Sequence, residues 1–288
     1  MKRRLIRGAV AIGLFFALFL TIGPVQADDV VRIGTYRHYP PWTISDEAGH
    51  ITGFEIDLIN DICRRMGAKC EITTVDWEKI YDDINAKKYD VYIGCMTITS
   101  ERAEKVAFSV PYALTPEYFA TTVNNDLTTL LTLNRLDLDN MTAEGKSTLS
   151  TLVDALKGKR VGVHVETVYE TFAKQYLTGV ADVRLYRSEV EQYADMVHEK
   201  LDAVLDGGAP LHEFILSKEK EKVADGTTLT LFGPALTGGP FGRGIGAALR
   251  REDVALRARF DAAITAAKVD GTLSRLSLNW FGYNAATD

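Results

Sequence analysis

The sequence predicts an α/β protein of two lobes, each a doubly wound sheet flanked by helices, with a cleft between them. Two observations carry that expectation. The order strand, helix, strand, helix, strand occurs twice, over residues 30–95 and 160–206, and strands alternating with helices imply a parallel sheet with crossover connections. The length left after an amino-terminal leader, about 260 residues, suits two domains of modest size.

The leader is residues 1–27. Lys2, Arg3, Arg4 and Arg7 form a basic region, 9–22 is an apolar run, and Val25-Gln26-Ala27 is a small-residue cleavage site, the pattern of a secretory signal peptide. No cysteine follows Ala27 to carry a lipid, and no later stretch has the unbroken apolar length that spans a bilayer. An exported chain is expected. The leader holds four of the 33 basic residues and none of the 39 acidic ones, so the mature chain has 29 basic residues and a net charge of about −10. Such a surface repels phosphate backbones and argues against nucleic acid as a partner.

Three cysteines remain. Cys63 and Cys70 are close enough to close a small loop, and export permits a disulfide between them, leaving Cys95 as a partly buried thiol. There is no second cysteine–histidine cluster of the kind zinc requires, and no metal is expected.

In the first half, residues 30–35 form a strand. Phe54, Leu58, Ile62 and Met66 then recur at helical spacing with Ile59 on the same face. Residues 70–75 are extended, 77–87 helical and 90–95 the third strand, with 91–95 an apolar run. Small hydroxylated residues follow, Thr97, Thr99 and Ser100, and then a charged helical segment over 101–105 that Thr99 or Ser100 can cap and Glu101 complements. Arg102 therefore stands just past a strand's carboxyl end. A guanidinium there can grip a carboxylate through two parallel charge-assisted bonds; the alternative is a surface arginine in an ordinary loop.

Residues 124–157 are polar and hold one helix at 143–156. The second half then reads as strand 160–164, helix 167–177, strand 183–186, helix 188–200 with Val190, Ala194 and Val197 inward, and strand 201–206. Two such sheets side by side bring two sets of strand ends face to face, and ligands bind outside the carboxyl ends of such strands. The late helices are 252–268, with Leu256, Phe260, Ala263 and Ala267 on one face and Gly271 as its stop, and a last piece ending at Trp280-Phe281. They need a sheet to cover. The simplest arrangement sends the chain back across a hinge near Phe232-Gly233-Pro234, so that lobe one is 28–116 with 235–288 and lobe two is 117–234.

Several motifs in fixed order then carry a resemblance. Val31-Arg32-Ile33-Gly34-Thr35, Tyr39-Pro40-Pro41-Trp42, Gly53-Phe54-Glu55-Ile56-Asp57-Leu58, Thr97-Ile98-Thr99, Glu101-Arg102 and Phe108-Ser109-Val110-Pro111-Tyr112 resemble the periplasmic polar amino-acid-binding proteins of ABC importers, solute-binding family 3. Leu231-Phe232-Gly233-Pro234, Phe241-Gly242-Arg243-Gly244 and Trp280-Phe281-Gly282-Tyr283 look most like the branch that binds the opines octopine and nopaline. The resemblance implies a type II periplasmic-binding-protein fold, a periplasmic monomer without a cofactor, a membrane ABC permease as partner, and a small ligand held between closing lobes. It places Tyr39 and Trp77 over the ligand's side chain and Thr97 and Arg102 on its α-carboxylate, with Cys95 and Met96 on the same strand-end loop. It places His164, Glu166 and Thr167 on the second-lobe loop entering a helix, where hydroxyl and N–H groups complete the carboxylate's shell.

Three departures from the family pattern bear on the ligand. The acid that holds the α-ammonium in ordinary members is replaced by Gly207, which leaves room for a substituent on that nitrogen. Asp206 sits one residue earlier, and one step along a strand turns a side chain to the opposite face, so Asp206 misses the cleft unless the loop shifts. Tyr36 stands where binders of basic amino acids place an acid, which provides less well for a guanidinium end. Glu166 replaces the usual glycine and offers a carboxylate to hydroxyls or a secondary ammonium. The expected ligand is an amino acid or an opine-like amino-acid conjugate. A conjugate, sugar-bearing ones included, is expected over plain arginine or lysine. Two alternatives stand beside this reading. A dehydratase-like enzyme on the same scaffold would draw on Cys95, His164 and Glu166, although no spacing sets a base beside a nucleophile with an orienting third group. The other is an accessory ligand sensor.

Overall fold

The computed structural model describes residues 30–130, 135–221 and 228–287; the expected leader, 1–27, lies outside them. The first lobe opens with β1 (Val30–Tyr36), a small hairpin of β2 (Ile44–Ser45) and β3 (Ile51–Thr52), α1 (Phe54–Met66), β4 (Lys69–Val75), α2 (Ile80–Asn85), β5 (Val91–Tyr92), α3 (Ser100–Lys105) and β6 (Ala107–Phe108). The second holds β7 (Glu117–Thr122), β8 (Arg135–Asp137), α4 (Ala143–Ala155), β9 (Arg160–His164), α5 (Val168–Phe172), β10 (Asp182–Tyr186), α6 (Glu189–Val197), β11 (Ala203–Gly207), α7 (Gly208–Glu221) and β12 (Leu229–Thr237). The chain then returns to the first lobe for β13 (Ala248–Leu249), α8 (Val254–Val269) and α9 (Thr272–Phe281).

One sheet has the order β4-β1-β5-β13-β6, the other β10-β9-β11-β7-β12-β8. In each, three strands are parallel and the next is antiparallel. β1 and β9 take equivalent places: the following strand pairs on one side and the third on the other. Crossovers that leave a strand in opposite directions open a crevice at its carboxyl end, and the two crevices face each other. The same ion pair marks both sheets. The backbone N–H and guanidinium of Arg32 grip Asp90 just before β5, at 2.7–3.0 Å. Those of Arg160 grip Asp202 just before β11, at 2.7–2.9 Å.

Each lobe has its own core. The first gathers α1, α8 and α9 on one face of its sheet, and the Phe281 ring lies 4.7 Å from those of both Trp42 and Phe54. The last helix is thereby pinned to the first lobe. Phe260, Ala263 and Ala267 are buried, as their spacing on α8 requires. Cys63 and Cys70 form a disulfide that ties the end of α1 to β4, with Cα atoms 6.1 Å apart, and Cys95 is free. Among the described residues no helix is long and apolar enough to cross a membrane.

Four local expectations are corrected. The third strand stops at Tyr92; Ile93 makes one last bond to Gly34, and the chain then turns at Cys95, which has a left-handed backbone (φ 51). The segment 77–87 divides into a 3₁₀ turn, Trp77–Lys79, and α2. Helix α6 buries Glu189, Gln192, Tyr193 and Met196, whereas Val190 is 62% exposed. Tyr193 and Met196 supply more volume than the small apolar residues on the adjacent stripe, and the Gln192 amide donates to the Gly162 carbonyl at 3.0 Å.

The fourth correction concerns the return hinge. Phe232-Gly233-Pro234 is no hinge: it makes a bulge in β12, with a register shift between Phe232 and Leu236. The strand stays in the second sheet to Thr237, and Phe241 still packs in the second core. The chain crosses back only after Phe241, where the Arg243 N–H donates to the Ile98 carbonyl and the Ile98 N–H to the Gly244 carbonyl. The expected lobe boundary at 234/235 therefore falls about seven residues early. The first crossing runs between Leu114, bonded to Ala285, and Glu117, the start of β7.

Candidate functional site

The strand ends of both lobes line one cavity. Tyr36 comes from the end of β1, Cys95 and Thr97 from the loop after β5, His164 from the end of β9 and Asp206 from the end of β11, with Tyr39, Trp77, Arg102, Thr167, Tyr169 and Glu189 around them. The sequence brought eight of these together in advance: Tyr39, Trp77, Cys95, Thr97, Arg102, His164, Thr167 and Asp206.

Arg102 is placed by its own helix terminus. Thr99 caps α3, its hydroxyl accepting from the Arg102 N–H at 3.2 Å, so the helix starts at a fixed point and the side chain turns inward. It is 7% exposed. Its guanidinium donates to the Thr97 carbonyl at 3.1 Å and the Glu166 carbonyl at 3.5 Å, and lies over the Trp77 ring at 5.1 Å. Those partners are neutral, and none of the ion pairs among the described residues includes Arg102. Burial pushes its pKa down, which expresses the cost of holding a cation away from water without a counter-ion.

Facing it, Asp206 is 1% exposed and accepts from three donors: the Tyr39 hydroxyl at 2.5 Å, the Tyr193 hydroxyl at 2.6 Å and the Gly207 N–H at 2.7 Å. Asp206 thus reaches the cavity. The added Cβ that Gly207 lacks would meet the Tyr39 and Tyr169 hydroxyls at 3.2 and 3.3 Å, so the space expected there for a substituent is taken by phenols. Gly207 lies opposite Glu117 in the β11–β7 ladder. Glu117 accepts from the Tyr169 hydroxyl at 3.1 Å, and burial, with the Asp206 charge beside it, pushes its carboxyl up to about 8.

Two expected ligand contacts line not this cavity but an adjoining pocket that shares Trp77, Arg102, Thr167 and Val168 with it. Glu166 has φ 59, and its side chain is exposed outside this cavity. Its backbone carbonyl is what faces the first lobe, accepting from Trp77 Nε1 at 3.3 Å and from Arg102. The left-handed conformation that turns the carbonyl inward turns the carboxylate out. Met96 is fully buried in a small core with Ile80, Ile84 and Val106 and does not line the cavity. His164 presents its ring with both nitrogens turned to backbone carbonyls, of Val165 at 3.1 Å and Arg187 at 3.0 Å. The Thr167 hydroxyl is spent on the His164 carbonyl, at 2.6 Å, and on capping α5. Behind the cavity floor Glu55 accepts from the Cys95 N–H at 2.6 Å and the Tyr112 hydroxyl at 2.5 Å, and burial pushes it up to about 7.

Sequence reasoning missed Tyr169 and Glu189 and did not count Tyr36 as a lining residue. Tyr36 and Glu189 had a readable signal, since one ends a strand and the other opens a helix at the same end of the second sheet. Tyr169, two residues past the cap of α5, had none.

Two lobes whose facing strand ends line a cavity with apolar walls and a few convergent polar groups define a cleft-type solute receptor. The chain belongs to the bacterial extracellular solute-binding proteins, family 3, whose model matches residues 31–283. It is 30% identical to an octopine-binding periplasmic protein of Rhizobium meliloti over 92% of this chain and 95% of that one. It is 29% identical to a lysine/arginine/ornithine-binding periplasmic protein of Escherichia coli over the whole of both chains. A solved periplasmic His/Glu/Gln/Arg/opine family-binding protein from Silicibacter pomeroyi, in complex with lysine, superposes with a TM-score of 0.67 at 28% identity, covering 90% of this chain and 100% of that chain.

Proposed function

We propose that the protein captures an amino acid or an opine-like amino-acid conjugate in the periplasm, closes its lobes on it, and delivers it to a membrane ABC permease without altering it. One observation carries this reading: a buried guanidinium, Arg102, aimed into an interlobe cavity with only backbone carbonyls and a tryptophan face as partners. A ligand carboxylate supplies the missing counter-ion. The named ligands of the relatives, octopine and basic amino acids, all bear one.

Bonds between Tyr39 and Asp206 and between Trp77 and Glu166 join opposite lobes across the cavity, as does the ion pair of Arg187 with Glu78. A ligand that adds contacts to both walls pulls an open–closed equilibrium toward closure. Chemistry on the ligand is disfavoured because the set an enzyme would need is dispersed: Glu166 faces solvent, the His164 nitrogens are engaged, and burial pushes the Cys95 thiol up. The test is a thermal-shift screen against amino acids and opines, followed by calorimetry and recovery of the bound molecule. A tight ligand raises the melting temperature by mass action. No shift with any amino acid or opine, or a ligand recovered changed, overturns the reading.

A further inference from the structure

The cavity is electrically lopsided. Arg102 stands at one wall, and three carboxyl groups converge toward the other: Asp206, Glu117 behind Tyr169, and Glu189. Asp206 already accepts from three donors, two of them on one oxygen. Glu189 accepts from fewer. It opens α6 in the second lobe, is 8% exposed, and lines the cavity. Its one side-chain donor among the described residues is the Tyr36 hydroxyl of the first lobe, at 3.2 Å. No lysine or arginine forms an ion pair with it among the described residues, and the neighbouring His164 turns its ring nitrogens to backbone carbonyls. A buried carboxylate with one phenol, one backbone N–H and a nearby imidazole, but no lysine or arginine pair, is only partly compensated. It is placed beside Tyr36, the position whose lack of an acid argued from sequence against a basic ligand end. The acid arrives instead from the opposite lobe.

We propose that Glu189, positioned by Tyr36, is a specificity-determining residue that receives a second, basic nitrogen of the ligand. The receptor then takes molecules with a carboxylate for Arg102 and a cationic end for Glu189: basic amino acids and conjugates that keep both groups. The inference rests on the amino-acid-receptor reading above and narrows it. Because Glu189 and Tyr36 belong to different lobes, a cation seated between them also bridges the closed form. Burial, with the nearby Asp206 charge, pushes Glu189 up from the ordinary carboxylate range, against the smaller opposing pull of His164 and the Tyr36 hydroxyl.

The test is calorimetry of the mature chain and its Glu189→Gln variant with L-arginine, octopine and L-citrulline, the last a neutral near-isostere of arginine. The expected result is that Glu189→Gln weakens L-arginine about 30-fold or more while changing L-citrulline by less than about threefold, roughly half of the 1.4 kcal/mol that a tenfold change represents. Octopine, with the same guanidinium, follows arginine. Tyr36→Phe, which keeps the acid, is expected to weaken arginine less. Equal losses for arginine and citrulline, no loss for either, or a wild-type chain that binds citrulline as well as arginine each overturn the inference. A wild type that binds only uncharged amino acids, through Arg102, overturns the Glu189 assignment and leaves the receptor reading standing. A wild type that binds no amino acid or opine overturns the receptor reading itself.

Discussion

Tyr39 of the first lobe donates its hydroxyl to Asp206 of the second at 2.5 Å, and the same oxygen lies 3.3 Å from the Tyr169 hydroxyl. The ligand cavity and the latch between the lobes therefore share atoms. A group that binds Asp206 competes with or reinforces the contact that holds the cleft shut.

Removing that hydroxyl separates the two roles. Hydrogen bonds to charged groups contribute about 1.5–3 kcal/mol, so Tyr39→Phe is expected to weaken ligand about 10- to 100-fold. It is also expected to open the unliganded protein, seen as a larger radius of gyration in small-angle scattering. An unchanged radius and affinity would show that the bond does not hold the lobes together.

Arg102→Ala deletes the proposed carboxylate anchor. A buried charged pair broken on one side costs about 2–5 kcal/mol, so calorimetry should find affinity reduced at least 30-fold. Arg102→Lys should recover only part of it, because an ammonium lacks the planar fork. Full affinity in the alanine variant sinks the carboxylate assignment.

Glu166 contributes its carbonyl rather than its side chain, in a left-handed conformation that glycine adopts without strain. Glu166→Gly is expected to leave ligand affinity within about twofold and to keep or raise thermal stability, with roughly 1 kcal/mol of side-chain strain relieved. A large loss of affinity would mean that the carboxylate reaches the ligand after all.

Glu55 gives the stability a pH signature. Burial holds its carboxyl at about 7, against 4.5 in the unfolded chain. Between those values the folded form keeps a proton that the unfolded chain has released, so stability is greatest below about 4.5 and falls as pH rises toward 7. The change is about 3 kcal/mol from one fully buried group. Glu117, held up at about 8, extends the same trend. The melting temperature should therefore fall between pH 5 and pH 8, and Glu55→Gln should flatten the decline; a variant with the wild-type profile would clear Glu55 of the effect.

Much of the scaffold was legible because it is local. The spacing of Phe54, Leu58 and Ile62 on α1, the Thr99 cap that starts α3 at Arg102, and the short Cys63–Cys70 loop are written in neighbouring residues. The site was legible in part through strand ends. Ideal strand alternation left Asp206 open between the two faces, and one residue before the end of β11 it lines the cavity. Where the reading failed, the reason was backbone geometry. Glu166 was chosen for its charge, and its left-handed φ turned that charge away. Of Val190, Ala194 and Val197, chosen for hydrophobicity, Val197 packs against the core and Ala194 is half-buried, but the larger Tyr193 and Met196 take its centre and leave Val190 exposed.

By itself the sequence determined two lobes of alternating strands and helices, an acidic chain, and an arginine at a helix start past a strand end. These follow from periodicity, capping and composition, which act over a few residues. Only the tertiary structure decided which acids share the cavity with that arginine. Tyr36 and Glu189 are 153 residues apart in the chain and meet across the closed cleft, and a contact of that separation is set by how two finished sheets pack rather than by any local pattern.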